Sequence, residues 1–184
     1  MNNIKTNMTQ TQLQAPAPER LIRIAGWFAY ASGVVSMIGV VFFVAMLAVR
    51  GPFGRLNDIC VMIQYLLALP IPLALHRLLQ ARAPFLSKLA MLIGIVGMMA
   101  VVVLQFLLVV DVLSFSEQVG PVTFAMIVMV GAWLVITGYL GRSTGKLPRS
   151  LLMSIVAVPY FGYPLLAIWL GRHLLSGRMI EQSN

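Results

Sequence analysis

Residues 24–49 read IAGWFAYASGVVSMIGVVFFVAMLAV, twenty-six positions without a charge. As a helix rising about 1.5 Å per residue the stretch reaches about 39 Å, more than the roughly 30 Å of a hydrocarbon core. Its apolar residues do not alternate with a period of two, which excludes a strand of a membrane barrel. In lipid every backbone amide and carbonyl must find its partner within the segment, and a helix is what remains. The excess length predicts tilt or protrusion.

Four more apolar segments follow, at about 59–75, 89–110, 122–140 and 151–170, each near or above the roughly 17 residues a crossing takes. The 184-residue chain is 60% hydrophobic and 10% charged, with a mean hydropathy of +0.92; soluble domains carry about 25% charge. A soluble domain this small has too much surface for its volume to hide such apolar area, so a soluble enzyme is excluded, and so is a disordered chain. The expected fold class is all-α: a polytopic helical membrane bundle of about five transmembrane helices with short loops. Residues 1–18 form a flexible polar tail in which Pro16 and Pro18 stop a helix. Residues 19–175 are a single transmembrane domain and 176–184 a short polar tail. The first apolar run starts too late and is too long for a cleaved signal peptide, so it is expected to stay as an anchor.

The net charge of +8 would suggest nucleic acid in a soluble protein, but the basic residues sit in short clusters between apolar runs, the pattern of membrane topology. Nucleic acid is therefore not an expected partner. The expected partners are the lipid bilayer and either a second copy of the chain or another membrane protein. With the N-terminus inside, five crossings place nine basic residues inside (Lys5, Arg20, Arg23, Arg77, Arg82, Lys88, Arg142, Lys146 and Arg149) and four outside (Arg50, Arg55, Arg172 and Arg178). That asymmetry predicts a cytoplasmic N-terminus. A re-entrant hairpin bent at Pro159 and Pro164 is the alternative for the last segment and would move Arg172 and Arg178 inside. Its full bilayer length favours a crossing.

Motifs for known chemistry are absent. Residues 141–147, GRSTGKL, have three residues between the glycines where a phosphate loop needs four. A single cysteine, Cys60, excludes an internal disulfide and a Cys-cluster metal site. His76 and His173 end segments two and five, on opposite sides in the five-crossing reading. The twelve methionines read as filling in apolar packing. No catalytic residue, metal ligand or cofactor is expected. Ala25, Ala29 and Gly33, then Ser32 and Ser36, then Ala90 and Gly94, recur every four residues and suit close helix packing.

Polarity enters the membrane at a few places. Asn57 and Gln64 share one helical face of segment two, and Asp58 and Tyr65 the next. Gln105 lies six residues before Asp111, so Gln64 and Gln105 each sit about 9 Å below an aspartate at the outer end. The two amides could meet. They could form a structural hydrogen bond, or the floor of a polar cleft open to the outside and lined by Asn57, Asp58, Gln64, Tyr65, Gln105 and Asp111. Pro70 and Pro72, and Pro159 and Pro164, interrupt two segments and free carbonyls such as that of Leu66. With Tyr160 and Tyr163 they are candidates for a bend or gate, and Trp133 could pack against the tyrosines.

The stretch Gly54-Arg-Leu-Asn57-Asp58, then Gln64-Tyr65, Leu69-Pro70 and Leu75, with Leu147-Pro148-Arg149 before a last span rich in Gly, Tyr and Pro, resembles a group of small multi-pass membrane proteins common in bacteria and classed as domains of unknown function. The resemblance covers roughly residues 20 to 172 and implies a bacterial cytoplasmic membrane. The group has no established activity, so no site residue is transferred from it. Three functions stay open. The first is a non-enzymatic bundle binding lipid, a small apolar molecule or a partner membrane protein. The second is a small transporter or channel subunit with an outward-facing polar cleft. The third, a membrane-embedded enzyme, is the least supported.

Overall fold

Four helical stretches are long and apolar enough to cross a membrane: Arg20–Ala48, Phe53–Leu79, Pro84–Val109 and Phe115–Ser143. The structure, a computed structural model, describes residues 17–49, 51–81, 83–144 and 162–175. Its elements are α1 (Ala17–Ala48), α2 (Phe53–Ala68), α3 (Pro70–Leu79), α4 (Pro84–Val109), α5 (Phe115–Thr123), a π-helical segment (Phe124–Val130), α6 (Gly131–Thr144) and α7 (Gly162–Leu175). No strand occurs among the described residues. The all-α membrane bundle read from the sequence is the fold observed.

The helices start earlier than the apolar runs do. Segment two opens at Phe53 rather than near 59, so Asn57 and Asp58 are helical. Segment four opens at Phe115 rather than 122. There Ser114 caps the helix, its backbone N–H donating to Glu117 Oε2 at 2.8 Å and its hydroxyl to the same oxygen at 2.6 Å. The expected 76–88 loop shrinks to a few residues between α3 and α4. His76 and Ser87 belong to those helices and join them: the Ser87 hydroxyl donates to the His76 carbonyl at 3.2 Å and lies 2.7 Å from His76 Nδ1.

Packing follows chain order. α1 lies against α2 and α3, these against α4, and α4 against α5, the π segment and α6; α7 covers the other side of α1. Buried positions on α1 (Ile22, Ala25, Ala29, Ser32, Ser36 and Gly39) step by three and four, a seam of small residues. Large apolar side chains such as Trp27, Val41, Leu47 and Phe85 point outward, where lipid surrounds a membrane bundle. α1 and α2 run antiparallel: Gly54 lies by Met46, Gly39 by Cys60, and the Ser32 hydroxyl donates to the Gln64 carbonyl at 3.0 Å. Glycine also sets the α4 contact, because a Cβ at Gly94 would come within 2.7 Å of the Trp133 ring. Trp133 is thus seated on Gly94, one of the expected packing glycines.

One expectation about proline changes. At Pro70 the helical ladder breaks, yet Leu69 keeps helical dihedrals (φ −53°, ψ −37°) and its N–H turns to the Leu66 carbonyl at 3.4 Å. The carbonyl that Pro70 frees is thereby occupied. Pro72 and Pro164 are both fully buried. Pro159 and Tyr160 lie outside the described residues, as does the side chain of Tyr163.

The direction of α7 differs from a simple fifth crossing. Gly33, halfway along α1, faces the Pro164 carbonyl and Ile168; Gly26, nearer the start of α1, faces Gly171, Leu174 and Leu175. α7 therefore runs antiparallel to α1 and ends on the face where α1 begins, here the near face. α6 also ends there, since Leu140 shares a crevice with Leu79 and Ser87 at the α3–α4 turn. A fifth crossing would leave the end of α7 on the far face. Arg172 accordingly joins Arg20, Arg23, Arg77, Lys88 and Arg142 at the near face, and Arg55 is the one described basic residue at the far face.

Candidate functional site: a polar cavity at the far face

At the far face the end of α1, the start of α2, the end of α4 and the whole of α5 do not close on one another. They enclose a cavity of about 340 Å3. Its apolar wall includes Phe43, Met46, Val61, Leu108, Phe115 and Val122, and its polar lining is Arg55, Asn57, Asp58, Gln105, Asp111, Gln118 and Thr123.

The α4–α5 turn shapes the mouth. α4 stops at Val109, and Asp111 takes a left-handed conformation (φ 59°) that aspartate tolerates better than most residues. Val112 N–H bonds the Leu107 carbonyl at 2.9 Å and Asp111 N–H the Leu108 carbonyl at 3.1 Å, the paired bonds of a Schellman cap. The carboxylate of Asp111 is thereby presented to Arg55 on α2, and the two form an exposed ion pair across the mouth. Inside the rim, Asp58 is half-buried and hydrogen-bonded by the Asn57 side chain.

Four of the six cleft residues read from the sequence, Asn57, Asp58, Gln105 and Asp111, line this cavity together. Gln64 and Tyr65 are buried but do not line it. Gln105 Oε1 has no hydrogen-bond partner among the described residues, so the amide pair expected between Gln64 and Gln105 is not made through that oxygen.

The cavity adds Arg55, Gln118 and Thr123, which the sequence reading did not select. Gln118 is the most informative. It is 2% exposed, Gln105 is 6% exposed, and Gln118 Nε2 is also unpartnered among the described residues. Two residues that line one cavity thus each hold a buried amide atom with no partner among the described residues. The sequence signal for Gln118 was the Ser114-x-x-Glu117 capping box, which starts the helix early enough to turn Gln118 inward.

The side chains here are amides, one hydroxyl, two carboxylates and one guanidinium. They can hydrogen-bond and orient a ligand. Among the described residues no three of His, Cys, Asp and Glu gather to hold a metal ion. Comparison with protein-family models, curated proteins and solved structures returns no match.

Proposed function

We propose that the protein is a non-catalytic membrane-embedded binding protein whose far-face cavity holds one small amphipathic molecule. The observation that carries this reading is the mixed lining of the cavity, with apolar side chains from α1, α2, α4 and α5 and polar ones from α2, α4, α5 and the α4–α5 turn. Its volume of about 340 Å3 falls within the range of roughly 300–1,000 Å3 usual for small-molecule sites. Polar groups at membrane depth are functional candidates by default. The near face, with its basic residues, is cytoplasmic in this reading, and the cavity opens to the outside. The resemblance to small bacterial multi-pass proteins supports a bacterial cytoplasmic membrane as the location.

Native mass spectrometry of the full chain released from mild detergent tests the binding. A discrete small-molecule adduct is expected on the wild type and not on Val119→Trp, whose indole would fill the cavity from α5. An identical adduct on both proteins, or none on the wild type beyond detergent and bulk lipid, would overturn the reading.

A further inference from the structure

The orphaned amide atoms bear on what the cavity accepts. Gln105 Oε1 is a buried acceptor and Gln118 Nε2 a buried donor, and both residues line the cavity. Leaving such groups unpaired is costly in a low-dielectric interior. A carboxylate could accept from Gln118 but would set oxygen against the Gln105 oxygen. An ammonium could donate to Gln105 but would set its positive N–H groups against the Gln118 N–H. An ester accepts only, and a hydrocarbon does neither. A neutral group that both donates and accepts satisfies the two glutamines at once, and the apolar wall formed by Leu108, Phe115 and Val122 takes its tail.

We propose that the cavity selects uncharged amphiphiles whose head both donates and accepts a hydrogen bond, a carboxamide or an alcohol, with Gln105 Oε1 accepting from the head and Gln118 Nε2 donating to it. This selectivity rests on the binding reading above. The ligand could arrive as a free molecule through the mouth or as an uncharged hydroxyl lipid such as a diacylglycerol from the surrounding leaflet.

The test uses the full chain in phosphatidylcholine nanodiscs, with ligand-observed NMR corrected against empty nanodiscs. Octanamide, 1-octanol, methyl octanoate, octanoate and octylammonium are compared. The amide and alcohol are expected to bind about three- to tenfold more tightly than the ester, the worth of one net hydrogen bond. Gln105→Met should erase that preference and leave ester binding unchanged, whereas Gln118→Met should weaken the amide, the alcohol and the ester alike and keep the preference. The head-group series on the unaltered protein keeps the proposal testable even where a variant does not fold. Equal binding of all heads to the wild type, a preference that survives Gln105→Met, or ester binding that Gln118→Met leaves unchanged overturns the selectivity and leaves the binding reading standing. Binding of no probe overturns both. Competition by diacylglycerol doped into the nanodiscs identifies the lipid as a source, and undiminished octanamide binding in its presence identifies a free molecule.

Discussion

Gln118 shows at the scale of one residue why a polar cavity costs stability. Its nitrogen is buried without a partner among the described residues, and an unsatisfied buried polar group costs about 1–3 kcal/mol. Gln118→Met keeps the length of the side chain and removes the orphan. It is expected to stabilise the ligand-free protein by about 1 kcal/mol, read as a higher melting temperature in detergent; a lower one would show that the amide has a partner. Ser32 is the contrasting case, because its hydroxyl is used, donating to the Gln64 carbonyl. Ser32→Ala should cost about 0.6 kcal/mol, the average for a hydrogen bond between membrane helices, and a gain in stability would contradict the contact. Depth arithmetic made Asn57, Asp58, Gln105 and Asp111 legible in the sequence, because helical rise converts numbering into height. It could not give azimuth across helices, and so it assigned Gln64 to the cleft when Gln64 does not line it.

The chain from Phe115 to Thr144 shows what an element adds. Its buried positions run Gln118, Val122, Ala125, Val130, Trp133, Thr137, Gly138, Leu140 and Gly141, and the single step of five, from Ala125 to Val130, falls in the π segment. That extra residue lets Gln118 face the cavity while Trp133 still reaches Gly94. Pro121, inside α5, removes one backbone donor just upstream. Deleting Ile127, which is exposed, should convert the π segment to regular α-helix with both flanking faces still aimed at α4. Deleting the equally exposed Val103 should rotate everything beyond it on α4 by about 100° and misplace Gln105. Monodisperse elution in detergent is expected for the first deletion and aggregation for the second; the reverse would remove the phase argument. No hydrophobicity pattern reveals such a shift, because residues 122–140 are apolar all round and carry no polar face to mark the step. The opposite property hid the early start of α5, whose first turns hold Glu117, Gln118, Gly120 and Pro121 and resemble a loop in composition.

For the whole molecule, the sense in which α7 packs decides the topology. A Cβ at Gly171 would meet the Gly26 carbonyl and the Tyr30 nitrogen at 2.7 Å, and one at Gly33 would meet the Pro164 carbonyl at 2.9 Å. Backbone atoms cannot move aside as a flexible side chain can, so these glycines fix both the distance and the register of α7 on α1. Composition and segment length favoured a fifth crossing; only the contacts give the direction, because an apolar run of bilayer length reads the same whether it crosses or turns back. α6 and α7 both end at the near face, so the end of α7 shares a side with the α3–α4 turn. The charges agree, since Arg172 then lies with the other basic residues instead of opposing them. Single cysteines at Ala81, Ser116 and Arg172, each exposed, in a Cys60→Ser background, test this with an impermeant thiol reagent on intact cells. Ser116→Cys should label at once, and Ala81→Cys and Arg172→Cys only after permeabilisation. If 81 and 172 label together from outside while 116 is protected, the orientation is inverted and the shared face stands. If 172 labels with 116 and 81 does not, α7 ends on the far face, and the glycine contacts that set its direction are not those of the protein in its membrane.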